Sequence, residues 1–492
     1  MTVDSPAVAT ETTALLPHER AARDRLVIGL LLVSAFVVIL NETIMGVALP
    51  RMMSSLSITA STAQWLTTAF MLTMAVVIPI TGLLLQRLNT RPVFILAMSL
   101  FSAGTLISAL APGFGVLVVG RIVQASGTAI MMPLLMTTVM NLVPPETRGR
   151  TMGNISIVIS VAPAIGPTIS GLILSVLDWR WLFILVLPIA LAALALGAKR
   201  IVNVTTPSTA RIDALSVLLS AVGFGGLVYG LSQFGESALH PTAVSPMIPL
   251  VIGLVVIGLF VWRQLVLQRQ NRALLDLRTL ANPTFTIATV MMAILMMAMF
   301  GAFILLPIYL QTVLALSTLQ TGLLLLPGGL IMGLCAPTVG SLFDRHGPSR
   351  LVIPGAFLVA ASLWGLTLVE PHTPFWLLLI AHLVLSVGLA LMFTPLFTVS
   401  LGALSPNLYS HGSAMIGATQ QVAGAAGTAL FVAVMTLQTA KQAAAGADPA
   451  AALTSGIATA FLCGAIISLG AVVAAFFVRR PKDAPGSHGP AH

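Results

Sequence analysis

Fourteen apolar runs, each long enough to cross a lipid bilayer, leave this chain almost one way to fold. They lie near residues 26–49, 64–85, 93–111, 115–142, 151–175, 181–198 and 212–234. The series continues near 247–268, 284–313, 320–342, 351–369, 375–401, 411–438 and 453–478. In hydrocarbon a backbone N–H or C=O has no water to bond, so a segment of this length satisfies itself as a helix. The chain is 57% hydrophobic and 8% charged, against roughly 25% charged in soluble domains, so lipid must be its main solvent. The expected fold is an all-α membrane protein of 14 transmembrane helices.

A formal charge of +9 invites a nucleic-acid reading, but the basic residues are strung between apolar runs and not gathered on a polar domain. Counted by connector, 19 of the 23 Lys and Arg fall on the side that holds the N-terminus. Arg51, Arg180 and Lys441 fall on the other, and Arg121 is embedded. That bias places both termini in the cytoplasm and gives no role to nucleic acid. The polar N-terminal stretch lacks a cleavage signal and reads as a disordered cytoplasmic tail. Cys335 and Cys463 sit inside apolar runs without metal-ligand spacing, so neither a metal nor a cofactor is expected.

The two halves of the chain echo each other. Gly82-Leu-Leu-Leu-Gln86-Arg87-Leu-Asn89-Thr-Arg91 returns, 258 residues later, as Gly340-Ser-Leu-Phe-Asp344-Arg345-His-Gly347-Pro-Ser-Arg350. Leu49-Pro50 returns as Leu306-Pro307, and Arg121, six residues before Gly127, maps onto His382, six before Gly388. Both copies run the same way through the membrane, as in a two-lobed transporter with its site between the lobes. The resulting division is a tail at 1–25, a six-helix lobe at 26–200, two inserted helices and a linker at 201–280, a second six-helix lobe at 281–478 and a tail at 479–492.

Glu42 and Arg121 are the ionisable residues that fall well inside apolar runs. Each lies about six or seven residues from a run end, roughly 10 Å from the same interface. An intramembrane charge costs several kcal/mol and marks a functional site. Arginine keeps its proton, so Glu42 is the group able to load and release one, with Arg121 tuning it. The competing reading is a static ion pair that fixes the first and fourth helices.

These residues resemble the major facilitator superfamily, and within it the fourteen-helix drug:proton antiporters of the lincomycin-resistance type. Leu40-Asn41-Glu42-Thr-Ile-Met-Gly-Val-Ala-Leu-Pro50 is similar to that group's first-helix signature. Gly82–Arg91 resembles the conformational loop motif of the superfamily, repeated at Gly340, Asp344 and Arg345. Gly120-Arg121-Ile-Val-Gln124-Ala-Ser-Gly127 resembles the fourth-helix motif, and Gly166-Pro167-Thr-Ile-Ser-Gly171 the antiporter motif. Two departures stand out: Gln86 replaces the usual loop aspartate, and Asn41 precedes Glu42 so that the acid is displaced by one position. The resemblance implies proton coupling through Glu42 and Arg121 and a hinge at Pro163, Gly166, Pro167 and Gly171.

Further polar groups are candidates for coupling or for lining a cavity: Asn41, Gln124, His382, Asn154, Tyr309, Gln311 and Gln420, with Gln233 and Gln421 beside them. Each competes with a plainer role as a hydrogen bond between helices. Methionines such as Met131, Met132, Met291 and Met292 suit a yielding apolar pocket or ordinary gap filling. The expected activity is export of amphipathic drugs or antibiotics in exchange for protons, by a monomer in the bacterial inner membrane. The alternative is a dedicated exporter of one metabolite, lipid or self-made antibiotic. An enzyme is not expected, because no metal cluster, Cys-His pair or phosphate loop occurs.

Overall fold

The computed structural model describes residues 17–58, 60–203, 213–237, 245–270 and 272–478. Fourteen long helices cross it, each long and apolar enough to span a membrane, and the described residues contain no strand. The first seven are α1 (Pro17–Leu56), α2 (Ala60–Arg87), α3 (Thr90–Ala109), α4 (Phe114–Leu142), α5 (Arg148–Val176), α6 (Trp181–Arg200) and α7 (Ala214–Ser237). The rest are α8 (Met247–Leu267), α9 (Pro283–Ile308), α10 (Thr318–His346), α11 (Ser349–Leu366), α12 (Phe375–Gly402), α13 (Tyr409–Ala444) and α14 (Pro449–Ala475). Helix α1 begins at Pro17, so residues 17–25 are helical where a disordered tail was expected; residues 1–16 and 479–492 lie outside the description.

Helices α1–α6 pack on one another, as do α9–α14, giving two six-helix lobes. The lobes meet along two seams, α5 against α10 and α2 against α13. The inserted pair is not peripheral. Helix α7 leans on α2 and α13 together and covers that seam, while α8 packs on α7. At the start of α7, Asp213 takes both Nε–H (2.6 Å) and Nη2–H (2.7 Å) of Arg263 on α8. That guanidinium, with Ser216, holds the Asp213 carboxyl well below the usual carboxylate range.

Local chemistry fixes the helix ends near the seams. Ser317 and Gln320 form a reciprocal capping box at the start of α10. Gly347 ends α10 with φ 77° and ψ −179°, a conformation open only to glycine. Its counterpart in the first half, Asn89, is extended (φ −65°, ψ 159°) and needs no such freedom. Prolines inside helices, such as Pro79, Pro133 and Pro395, are tolerated because neighbouring helices shield the freed carbonyls from lipid.

Candidate functional site

The embedded arginine is the centre of a cluster drawn from the first four helices. Arg121, on α4, is 1% exposed. Its Nη1–H donates to Gln124 Oε1 one turn along the same helix (2.6 Å) and, at a longer 3.4 Å, to Asn41 Oδ1 on α1. Gln124 Nε2–H donates in turn to Thr105 Oγ1 on α3 (2.8 Å), whose hydroxyl donates to the Phe101 carbonyl. On the remaining side the guanidinium carbon lies 4.0 Å from the centre of the Phe70 ring of α2. The acceptors around this cation are thus amide oxygens and a π face. No carboxylate among the described residues forms an ion pair with it.

Glu42 lies next to this cluster, partly exposed, and Arg121 is the charge whose field acts on it. One residue is about 100° around a helix, so the side chain that α1 turns toward the guanidinium is that of Asn41. Two donors in the cluster have no acceptor: Arg121 Nε–H and the Asn41 Nδ2 amide. A buried cation with open donors, next to an unpaired acid, is an arrangement poised to change partners.

The antiporter-like stretch of α5 grips α1 one residue beyond Glu42. A side chain at Gly166 would collide with Thr43 Oγ1, and Ser170 Oγ–H donates to the Ile44 carbonyl (3.1 Å). Pro163 lies farther along the same helix and is partly buried; Gly171 meets nothing within 4 Å. The Pro167 side chain lies outside the described residues. Gly166 therefore sets how closely α5 approaches the turn that carries the acid.

The other candidates disperse. His382 is buried on α12, its Nε2 3.1 Å from the Leu325 carbonyl on α10, inside the second lobe. Tyr309 begins a π-helical turn after α9 and its hydroxyl donates to the Glu370 carbonyl, whereas Gln311 in the same turn is exposed. Asn154 is exposed on α5, and Gln420, Gln421 and Gln233 are partly buried, with the Gln420 amide nitrogen unpartnered. Met131, Met291 and Met292 are wholly buried in the core. Phe70, Thr105 and Ser170 were not foreseen. Phe70 and Thr105 fall in no distinctive motif, and Ser170, although inside the quoted antiporter-like stretch, carries no signal of its own until helix packing is known.

The two repeated loop motifs lie where the lobes touch. Asp344, at the end of α10, accepts from the backbone N–H of Gly149 and of Arg150 at the start of α5, both at 2.8 Å. A Cβ on Gly340 would strike the Gly149 carbonyl, so the two backbones are in direct contact there. At the other seam the Gln86 amide nitrogen lies 2.7 Å from His411 Nε2 on α13, and 3.4 Å from the Asn407 carbonyl. Hydroxyl pairs join the lobes between these points: Thr137 with Ser413 (3.0 Å) and Ser156 with Thr394 (2.8 Å). Of the named loop residues, Arg87, Arg91 and Arg345 flank these contacts; the backbone N–H of Arg91 donates to Asn203 (3.2 Å). The contacts of Asp344 and Gln86 sit at the helix ends that bear the arginine-rich connectors, and the hydroxyl pairs lie one to two turns deeper.

Comparison with known proteins agrees with this architecture. Residues 31–428 match the family model of the Major Facilitator Superfamily. The chain is 41% identical over 461 residues to a lincomycin resistance protein of Listeria monocytogenes, covering 93% of this chain and 97% of that one. It is 38% identical to a lincomycin resistance protein of Bacillus subtilis, covering 92% and 95%. Its fold is similar to that of the proton:xylose symporter XylE, with a TM-score of 0.62 at 14% identity over 94% of this chain and 97% of that one. With fourteen spans and bacterial relatives it is a multi-pass plasma-membrane protein. The chain belongs to the Major Facilitator Superfamily.

Proposed function

We propose that this transporter exports amphipathic drugs, lincosamides among them, in exchange for protons, and that Glu42 is the group that carries the proton. The observation that supports it most is a 1%-exposed guanidinium at membrane depth with no carboxylate bound, beside a partly exposed acid that feels its field. A static structural pair would close the ion pair, because an unpaired buried charge costs several kcal/mol. Here the contact is open, as a carrier requires at one stage of its cycle.

Drug would bind between the lobes, and protonation of Glu42 would bias their rocking by its different free energy in the two states. Phe70 links the two regions. It covers Arg121 on one side, and its buried cluster reaches Ala418 on α13 of the second lobe. The seams are closed on the arginine-rich side, which the charge bias reads as cytoplasmic, so the conformation is closed toward the cell interior. The lincomycin resistance named for the relatives supports the substrate class.

The test is transport in proteoliposomes with a lincosamide and an imposed pH gradient. Glu42→Gln should abolish gradient-driven transport, by at least a hundredfold, while drug binding at equilibrium stays within a few-fold. Gradient-driven transport at the normal rate in folded Glu42→Gln protein would overturn the assignment of the carrier.

A further inference from the structure

Three features outside the proton-carrier assignment were open to a role: the apolar groove between α2, α7 and α8, the buried His411 against Gln86, and the side chain of Asn41. The last is the one whose surroundings specify what it does. Asn41 is 1% exposed, yet only the oxygen of its amide has a partner. The oxygen accepts from Arg121 Nη1–H, while the nitrogen has no partner, and neither does Arg121 Nε–H beside it. Leaving buried donors unmet forfeits the hydrogen bonds they made to water in the unfolded chain. A carboxylate in the same place would accept both.

We infer that Asn41 is a positioning residue that stands in for Glu42 at the Arg121 guanidinium, releasing the arginine to the acid when the acid loses its proton. This rests on Glu42 being the proton carrier. The amide oxygens of Asn41 and Gln124 hold the cation in this structure, the arrangement assigned here to neutral Glu42. When Glu42 ionises, its carboxylate is drawn to the open donors by turning its own side chain and rotating α1 through part of the about 100° that separates the two positions. The neutral amide is the weaker acceptor by roughly twofold, so it yields. The clasp of Gly166 and Ser170 on Thr43 and Ile44 gives that rotation a fixed bearing.

The groups facing Glu42 and Asn41 are few. Among the described residues, Arg121 on α4 is the charge that acts on Glu42. At this depth α2 offers Phe70 and α3 offers Thr105, while α5 offers Gly166 and Ser170. None of these titrates, so the balance between Asn41 and Glu42 is set by the pair itself.

Asn41→Ala removes the neutral occupant and leaves Arg121 to Glu42, which favours the ionised acid. Asn41→Asp gives Arg121 a permanent carboxylate and places a like charge beside Glu42, which favours the protonated acid. The pH giving half-maximal lincosamide–proton exchange should therefore move acid by at least half a unit in Asn41→Ala, and alkaline by a similar amount in Asn41→Asp. Asn41→Gln, which keeps the amide, should restore the original midpoint in part. If both first variants merely lower the rate with an unmoved midpoint, Asn41 is packing and the inference fails. Glu42→Gln in the same assay separates the two readings: normal exchange there sinks the proton carrier itself, whereas loss there with unmoved Asn41 midpoints sinks only the handover.

Discussion

The two seams between the lobes occupy equivalent places in the repeat and are built differently. At α5/α10, glycines let the backbones touch, and Asp344 accepts two backbone N–H groups at the positive end of α5. That is a charge-assisted cap that spans two lobes. At α2/α13, a Cβ on Gly82 would find Ala414 at 3.2 Å and the Ser410 carbonyl at 3.3 Å, so the helices stand farther apart. There Gln86 meets a histidine side chain, with no bond to the N–H groups of the helix start, and α7 lies over the junction. One seam is a lock made by backbone and charge, the other a softer contact sealed from outside. The lesson is that internal repetition specifies the arrangement of helices, while single substitutions decide which seam carries the conformational energy.

The harshest way to break the comparison is Gly340→Ala. The new methyl meets the Gly149 carbonyl, which belongs to a helix and cannot turn aside, so the lobes must part locally. Overpacking of this kind costs about 1–3 kcal/mol, so the ratio of closed to open molecules should fall about fivefold or more. Spin-label distances between the ends of α5 and α10 would show the added open component. Gly82→Ala, the same change at the other seam, asks its neighbours to give by only a few tenths of an ångström and should shift the closed population less than threefold. Equal responses would show that the seams are equivalent after all.

Asp344→Ala comes next. Two charge-assisted bonds are lost and the first N–H groups of α5 are left to water at the membrane face. Loss of a capping side chain costs about 0.5–2 kcal/mol, so a rise of about two- to thirtyfold in the open population is expected. The matching change Gln86→Ala should do less than half as much on a logarithmic scale, because the bond removed joins neutral side chains. Both are read by the same distance measurement, and reversal of the order would make α2/α13 the principal lock.

Much of this was legible before any coordinates. The spans were, because hydropathy over twenty residues is a local property, and so was the repeat, because its landmarks are glycines, prolines and charges at constant offset. The depth shared by Glu42 and Arg121 followed from helical rise. What escaped was azimuth. The sequence puts Asn41 and Glu42 side by side, and only the packing of α1 on α4 decides that the amide reaches the guanidinium. Phe70 and Thr105 escaped for the same reason, as did the pairing of Gln86 with His411, 325 residues away. The start of α1 was placed too late because its first two turns are polar, and polarity there marks the end of the hydrocarbon, not the end of the helix.

The mildest test restores at the second seam what the first already has. Gln86→Asp puts the superfamily's usual acid opposite His411, at the first turn of α13. The wild-type contact joins an amide to an imidazole, and an amide can turn over to suit either protonation state of the ring, so its strength changes little with pH. An aspartate cannot adapt in that way: it accepts from an imidazolium but repels a bare ring nitrogen. Asp276 and Arg278, whose charges both act on His411, set the background for this pair. Spin labels on α2 and α13 should report a closed population that rises as the medium is acidified and the ring gains its proton. The change should be no more than a few-fold, and the unmodified protein should stay flat over the same interval. A flat response in Gln86→Asp as well would mean that the softness of this seam resides in helix spacing and the cover of α7, and that the identity of the residue at position 86 has little to do with it.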